Sequence, residues 1–439
     1  MTAIKRAVIL LSGAAILIGT ACGGGSSERM ASPVSTPAVS GATATAVRVQ
    51  QEANVRFLET RAANDPLDTF SLNRLAQEHI QRVRETGDVA ELSVAEQLLQ
   101  RSLGVRRTDN YDAVALLASI SNTKHDFARA RDLALEAIGQ RKNLAYGYGV
   151  LGDAQFGLGD YEGADFSYEK QIDIEPDLSA FGRRALLFQV RGNIAEAESS
   201  WQAAIKRASG DGVPEHAAWA HAQLAALDFS MGRVDDAGSQ YEESLKIFPG
   251  YVHALAGLGR VAAANDDWST ASDYYKRAID RVPMPEYVIA LGDVYAASGD
   301  MKKAQQEYDL VAAIEQLYTS NGVNLDLQIG LFNADHDRDV VATTDRVRAA
   351  YAVQPSIAAA DVLGWVLYKA GDIEGARTAA DAALRTGSHD PGILFHAGII
   401  YKAAGDATRA REYLQRVNHQ SPKFSVLYRP LLKEALAGL

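Results

Sequence analysis

A short motif that returns at a nearly constant interval runs through most of this chain. In residues 146–176 its members are Leu151, Gly152, Gly159, Asp160, Tyr161, Ala164, Tyr168 and Pro176. Members of the same kind return at matching spacings around Leu258-Gly259, Leu291-Gly292, Leu363-Gly364 and Gly398. Such a chain forms a stack of small units rather than independent globular domains, because one unit cannot bury its apolar face alone.

One small residue in each copy gives the number of copies. These residues are Ala95, Ala130, Ala164, Ala197, Ala237, Ala271, Ala304, Ala376 and Ala410. They lie about 34 residues apart, except for one interval of roughly twice that length. The long interval contains a degenerate copy at residues 327–355. We therefore predict about ten repeats.

The residues inside one copy predict two helices joined by a tight turn. Apolar residues recur three and four positions apart in each half, as they do on one face of an amphipathic helix. Gly159 and Asp160 separate the halves, because glycine tolerates the left-handed conformation that ends a helix and aspartate caps the next one. Gly152 and Ala164 are small where the two helices approach each other. Stacking of successive pairs buries the apolar face that each pair leaves open.

These motifs resemble the tetratricopeptide repeat, a pair of antiparallel helices of about 34 residues. The resemblance implies an all-α, right-handed superhelical solenoid of about ten helix–turn–helix repeats. We assign residues 51–424 to this array and residues 425–439 to a C-terminal capping helix. Three segments, at residues 331–339, 351–372 and 394–406, also look like a family of secreted bacterial repeat proteins.

Three irregular stretches interrupt the regular spacing. Residues 209–214 form an insertion between two repeats, and its glycines and proline predict a longer loop. A second break, at residues 319–324, precedes the degenerate copy, and another insertion lies at residues 87–91. We expect the stack to depart from regular geometry at these places.

The N-terminal residues have the features of an export signal rather than of a folded domain. Lys5 and Arg6 precede an apolar stretch at residues 7–18, which is short for a membrane-spanning helix. Small residues follow this stretch, as they do before a signal-peptidase cleavage point. We assign residues 1–21 to a signal peptide.

Cys22 is the only cysteine, and it follows the expected cleavage point. The segment resembles a bacterial lipoprotein signal, which implies that Cys22 becomes the lipidated first residue of the mature chain. That family prefers leucine, valine or isoleucine where Gly19 stands here, so plain secretion and an uncleaved anchor remain alternatives. Residues 22–50 are predicted to form a flexible Gly/Ser/Thr/Pro tether. We expect an exported protein, anchored by lipid at the cell membrane or envelope.

Charge and motif content exclude several classes of function. The net charge of -11 argues against nucleic-acid binding, which requires a basic face. The acidic middle of the chain fits either a solvated surface or electrostatic attraction of a partner. Residues 335–339 alternate acids as a calcium loop does, but they lack its later glycine and glutamate, which favours a polar turn. The sequence contains no nucleophile, phosphate-loop or zinc motif, and we predict no enzymatic activity, metal or cofactor.

The resemblance implies that the first helix of each repeat lines a concave groove, where an extended peptide or a partner helix binds. Aromatic and arginine side chains on that face are typical of binding hot spots, although each aromatic ring can equally well pack locally. The groove-facing candidates are Tyr146, Asp153, Phe156, Trp219, Phe229, His253, Arg260, Asp293, Trp365, Tyr368 and Lys402.

Some members of the family grip the C-terminal carboxylate of chaperones with lysine and asparagine side chains. The matching positions here are mostly of other types, and only Asn122 nearby is suitable, so we expect no such clamp. We expect a non-enzymatic scaffold that binds a protein or peptide partner. The alternative is a carrier for a carbohydrate or small ligand, in which aromatic side chains such as Trp365 would stack on sugar rings.

Overall fold

The computed structural model of the protein describes residues 41–210 and 212–439. Within these residues it contains 22 α-helices and no β-strand. The predicted signal peptide, residues 1–21, and the predicted lipidation site, Cys22, lie outside the described residues.

The first helix begins earlier than the sequence predicts. α1 spans Gly41–Asn64, so it begins inside the segment 22–50 that the sequence assigned to a flexible tether. The last proline of the N-terminal segment is Pro37, and α1 itself contains none. Without proline, the alanines in this stretch favour a helix.

Ten antiparallel helix pairs follow α1, which confirms the predicted all-α array of repeats. The first helices of the pairs are α2 (Thr69–Thr86), α4 (Tyr111–Thr123), α6 (Ala145–Gly157), α8 (Leu178–Val190), α10 (Pro214–Ser230), α12 (Val252–Ala264), α14 (Pro285–Ala297), α16 (Asp326–Asp335), α18 (Ile357–Lys369) and α20 (Pro391–Ala403). The second helices are α3 (Ala90–Val105), α5 (Phe127–Gln140), α7 (Tyr161–Ile174), α9 (Ile194–Ala208), α11 (Val234–Ile247), α13 (Trp268–Ile279), α15 (Met301–Ser320), α17 (Val340–Val353), α19 (Ile373–Ala383) and α21 (Ala407–Gln420). The last helix, α22 (Tyr428–Ala437), lies inside the segment assigned to the cap.

The turn inside a repeat has the predicted geometry. Asp160 caps α7, because its side chain accepts a hydrogen bond from the Gly163 backbone N–H at 2.9 Å. Gly159 has a φ of +73°, a conformation that L-residues with a side chain rarely adopt. Aspartates cap second helices in the same way at Asp126, Asp267, Asp300, Asp372 and Asp406.

Small residues occupy the narrowest contacts between helices. The repeat alanines identified in the sequence are all fully buried, with no exposed surface. A Cβ atom on Gly152 would lie 2.3 Å from the Tyr168 ring, so glycine is what allows α6 to approach α7 this closely. In the degenerate repeat Thr343 stands at the alanine position, and its hydroxyl accepts a hydrogen bond from the Asn333 side chain at 2.8 Å. That bond satisfies a polar group that would be costly to bury alone.

Through most of the array, successive first helices pack against each other, whereas successive second helices in the described residues make no comparable contact. The stack therefore curves with its first helices inside. We call the surface that the first helices form the inner surface.

This curvature brings distant repeats into contact with each other. The turn between α6 and α7 lies against the start of α18, where the Tyr161 hydroxyl accepts a hydrogen bond from the Ile357 backbone N–H at 3.0 Å. One repeat further along, the Thr386 hydroxyl donates to the Val190 carbonyl at 2.6 Å. Both pairs join residues 196 positions apart in the sequence.

Contacts of the same kind continue on both sides of these two. The Asn324 backbone N–H donates to the Lys124 carbonyl at 3.3 Å, and Lys423 Nζ donates to Asn265 Oδ1 at 2.9 Å. Buried apolar residues of α7 and α8 also share one cluster with residues of α18, α19 and α20. Two stretches of the solenoid are thus locked together along a continuous line of turns.

One junction in the stack is loosely packed. From α1 to α21, every other pair of consecutive helices is in close contact, but α15 and α16 touch in few places. This junction follows the break predicted at residues 319–324. Side chains connect its two sides: His336 Nε2 lies 2.9 Å from Asp293 Oδ1, and Arg346 pairs with Glu315 at 2.6 Å.

Candidate functional site

The inner surface is open where α10, α12 and α14 adjoin. Arg260 on α12 and Glu286 on α14 are exposed there, and His253 on α12 is half-buried. His253 Nδ1 lies 2.6 Å from the Tyr287 hydroxyl of α14. The Arg260 guanidinium lies 5.5 Å from the centre of the Phe229 ring of α10. We call these five residues the inner patch.

The surroundings of the inner patch change the charge of two of its members. Burial lowers the pKa of His253 to about 4, so its imidazole is neutral at neutral pH. Loss of hydration raises the pKa of the Glu286 carboxyl to about 7, although its backbone N–H and Arg260 act in the opposite direction. Arg260 is therefore the permanent charge of the patch.

Asp153 was predicted to face the groove, and this prediction is wrong. Its side chain is fully buried and forms two hydrogen bonds of 2.8 Å with Arg183, which is 2% exposed. The Tyr168 hydroxyl donates a third hydrogen bond to Asp153 at 3.1 Å. Three donors compensate the cost of removing this carboxylate from water, so Asp153 connects α6, α7 and α8 instead of meeting a partner.

Phe229 and Trp365 are also too buried to meet a partner directly, each with 3% exposure. Trp365 stacks on His396 with ring centres 4.3 Å apart, and its Nε1 donates to Asp335 at 2.8 Å. The expectation that Trp365 stacks on a sugar ring is wrong, because α18, α20 and α22 enclose it. The buried Phe229 ring instead packs against the guanidinium of Arg260.

Four aromatic candidates are half-buried and lie apart from the inner patch or at its edge. Tyr146 and Phe156 lie on α6, and the Phe156 ring meets Tyr161 edge-on at 5.3 Å. Trp219 on α10 meets the ring of Trp201 edge-on at 5.3 Å. Tyr368, the fourth, stacks on Trp365 at 5.1 Å. Their exposed edges extend the apolar part of the inner surface.

Asp293 and Lys402 are bound within the chain. Asp293 accepts a hydrogen bond from the Tyr308 hydroxyl at 2.8 Å in addition to its contact with His336. Lys402 Nζ donates to the Ala435 carbonyl of α22 at 2.8 Å. The structure thus brings together Phe229, His253 and Arg260 among the predicted residues. It leaves the others dispersed over five repeats or internally paired.

The carboxylate clamp was predicted to be missing, and Asn122, the only suitable residue nearby, points into the core. It is 5% exposed, and its side-chain amide donates to the Val150 carbonyl at 3.0 Å. An internal hydrogen bond of this kind leaves Asn122 unable to grip a partner's carboxylate.

Sequence reasoning missed Glu286 and Tyr287. Glu286 stands one repeat after His253, at the same position of its first helix. The repeat register could therefore have identified Glu286 as a residue of the same surface. The change of its pKa depends on the residues that the folded array places around it, which no local pattern reveals.

A second polar cluster connects the last three first helices. His396 is 2% exposed; its Nδ1 lies 3.0 Å from Asp361 Oδ1, and its Nε2 lies 2.8 Å from the Tyr428 hydroxyl. The Tyr428 hydroxyl also donates to Asp335. Burial lowers the pKa of His396, but the Asp361 carboxylate outweighs it and the net shift is upward. This cluster connects α22 to the array and is mostly buried, with Asp335 and Asp361 half-buried.

A cleft of about 550 Å³ lies at the loosely packed junction between α15, α16 and α17. Arg338 covers the rings of Tyr308 and Phe332 there, at 5.7 and 5.5 Å. Its guanidinium also lies 3.6 Å from Asp309. Because the cations of this cleft are already paired with acids, the inner patch is the better candidate site.

Two further features bear on the candidate site. None of the described helices combines the length and the apolar character that crossing a bilayer requires. In the part of the chain that the structure describes, no three histidine, cysteine or acidic side chains are placed to hold a metal ion.

Several solved structures are similar to the chain at low sequence identity. A human IFIT1 dimer with PPP-AAAA is 14% identical, with a TM-score of 0.44 over 83% of this chain and 94% of that chain. PilW, described as a widely conserved type IV pilus biogenesis factor, is 17% identical, with a TM-score of 0.39 over 46% of this chain and 92% of that chain. A tetratricopeptide repeat protein from Parabacteroides merdae is 16% identical, with a TM-score of 0.40 over 57% of this chain and 99% of that chain. No curated protein matches the chain.

Family models agree with the architecture. Models described as tetratricopeptide repeat match residues 145–178, 183–252, 222–283, 256–316 and 362–423. These matches cover more than half of the chain and fall on the helix pairs from α6 to α15 and from α18 to α21. The chain belongs to the tetratricopeptide repeat family.

Proposed function

We propose that this protein is a scaffold that binds a protein or peptide partner at the inner patch, and that a lipid on Cys22 holds it outside the cytoplasm. Tetratricopeptide repeats generally mediate protein–protein interaction, and proteins built from them are typically non-enzymatic scaffolds. The observation that carries the proposal is the exposure of Arg260 on an aromatic support, in an array whose other inner polar candidates are paired internally.

The shape of the array limits what can bind there. Contacts between distant turns close the side of the solenoid from Lys124 to Asn265, so a bulky folded domain has little room to enter from that side. An extended peptide segment is slender enough to reach the inner surface from an end, and peptide binding at helix faces with aromatic and arginine side chains is a common mode of recognition.

Site-specific photo-crosslinking tests the binding proposal. A photoreactive benzoylphenylalanine is placed at Arg260 or, as a matched control, at Arg101, which is exposed on the second helix α3. We expect one discrete adduct from the intact cell envelope at position 260 and none at position 101. The partner is then identified, purified and titrated against the unmodified protein. Adducts of equal yield at both positions would show that the inner patch is not the binding surface.

The lipid anchor is tested separately. Cys22→Ser removes the only thiol that a lipid can modify in this way. We expect the variant to leave the membrane fraction for the soluble fraction, because a lipid-anchored protein loses its membrane affinity with its acyl chains. Ala21→Ser, which keeps the cysteine, is the control. If the Cys22→Ser variant still sediments with membranes, the anchor lies elsewhere.

A further inference from the structure

Arg260 differs from Arg183, another arginine on a first helix, in having no acid to pair with. Among the described residues, no carboxylate oxygen lies within 4.0 Å of its guanidinium. Arg183 shows what a paired inner arginine looks like, since it is buried and holds Asp153 with two hydrogen bonds of 2.8 Å. The fold thus satisfies one guanidinium and leaves the other directed to solvent on the inner surface.

The surroundings of Arg260 hold it in place without neutralising it. The guanidinium lies over the Phe229 ring, 5.5 Å from its centre. Contact with the Phe229 ring restricts the orientation of the planar guanidinium, so less conformational freedom is lost when it binds a partner.

Glu286 interacts electrostatically with Arg260, but its carboxyl competes only weakly for the guanidinium. Its carboxyl is partly protonated at neutral pH, because its pKa is raised to about 7. His253 is neutral and engaged with Tyr287. The inner patch therefore carries a net positive charge in a chain whose net charge is -11.

We propose that Arg260 binds a carboxylate of an acidic segment in the partner peptide, with its two outer nitrogens directed at the two carboxylate oxygens. This inference rests on the proposed function and adds the chemistry of the partner. Arginine and carboxylate are complementary in shape and charge, and such pairs are shorter and stronger than neutral hydrogen bonds.

Calorimetric titration of the purified full chain tests the proposal. The probe is the acetylated and amidated peptide Ala-Leu-Glu-Leu-Glu-Leu-Ala, compared with the same peptide carrying glutamine in place of glutamate. A third peptide, with glutamine side chains and a free C-terminal carboxylate, distinguishes a side-chain carboxylate from a chain end. The variants are Arg260→Gln, Arg260→Lys and the matched control Arg101→Gln, and their melting temperatures are measured to confirm folding.

We expect the glutamate peptide to bind the natural chain and the Arg101→Gln variant equally. Binding to Arg260→Gln should be weaker by about ten-fold or more, which is the usual effect of one charged hydrogen bond. Arg260→Lys should recover part of the affinity, because it keeps the charge but not the two-pronged geometry.

Three results would overturn the proposal. In the first, Arg260→Gln and the natural chain bind the glutamate peptide with equal affinity. In the second, the natural chain binds the glutamate and glutamine peptides equally well. In the third, it prefers the peptide with the free C-terminal carboxylate. Failure to bind any of the peptides at millimolar concentration would also overturn it. In each case, a partner adduct at position 260 in the photo-crosslinking experiment would still support partner binding at the inner patch. If no adduct formed there either, the proposed function would be contradicted as well.

Discussion

At the scale of single residues, the solenoid depends on glycines that bring two helices close together. A Cβ atom on Gly152 would lie 2.3 Å from the Tyr168 ring, and one on Gly292 would lie 2.3 Å from Tyr308. The tyrosine hydroxyls in turn bond to Asp153 and Asp293. In these two repeats, the glycine leaves room for a tyrosine ring, and the tyrosine connects the first helix to the second.

Gly152→Ala should lower the free energy of unfolding by about 1–3 kcal/mol, because the added methyl group has to displace a packed ring. Gly139→Ala is the matched control, since a Cβ atom there would meet open space within α5. That change should stabilise the protein by about 0.4–1 kcal/mol through a less flexible unfolded chain. Denaturant unfolding measures both, and equal effects of the two substitutions would contradict the packing argument.

Glu286 should make stability depend on pH. Its folded-state pKa of about 7 lies above the ordinary value of 4.5. Between these values the folded state binds more protons than the unfolded state, so this residue lowers stability as pH rises from about 4.5 to about 7. Arg260 interacts electrostatically with the Glu286 carboxyl. Tyr287 interacts electrostatically with Glu286 and with Tyr241.

Glu286→Gln removes this titration and keeps the shape of the side chain. The melting temperature of the variant relative to the natural chain should therefore increase as pH rises from about 5 to about 7 and then level off. The comparison subtracts the contribution of the other titrating groups, such as His336 and His396. A difference that stays constant over this range would mean that Glu286 titrates normally.

At the scale of helices, regularity ends at the junction between α15 and α16. α15 has 20 residues and α16 has 10, and the two pack loosely where the rest of the stack packs closely. His336 connects the two sides through Asp293. Burial lowers the pKa of His336, but its hydrogen bond to Asp293 outweighs this effect and the net shift is upward. A hydrogen bond to a carboxylate therefore adds to the apolar contacts that connect the two helices, such as that of Tyr308 with Phe332.

Local opening should start at this junction. We expect backbone amides of α16 to exchange with deuterium faster than those of α6, a first helix between two closely packed neighbours. Few packed contacts lower the free energy of local opening, and exchange reports that free energy directly. Mass spectrometry after timed labelling measures both helices in one sample. Slower exchange in α16 than in α6 would contradict the account of the junction.

At the scale of the whole molecule, the repeat period predicted the number of pairs, their turns and their buried alanines, because these depend on residues close in sequence. The contacts between distant turns could not be predicted. Tyr161 and Ile357 carry no pattern that pairs them, and the pairing results from small rotations added over many repeats. Trp365 is buried by the neighbouring helices α20 and α22, whereas Arg260 is exposed. The repeat register assigns both residues to first helices and does not distinguish these surroundings.

The central claim is that distant turns of the array lock together and enclose the inner surface. Lys423 Nζ lies 2.9 Å from Asn265 Oδ1, across 158 residues of sequence. In an Asn265→Asp variant, a zero-length carbodiimide reagent can join the new carboxyl to Lys423 as an amide. The exposed pair Lys246 and Glu243, at 2.9 Å within one helix, is the internal control for the reaction.

The decisive measurement is peptide mass spectrometry of the monomer after this reaction at low protein concentration. The account predicts a crosslinked peptide pair that contains residues 265 and 423, together with the control product at residues 243 and 246. If the control product forms but no link joins the segments around residues 265 and 423, the turns do not meet. The inner surface would then be open along its side.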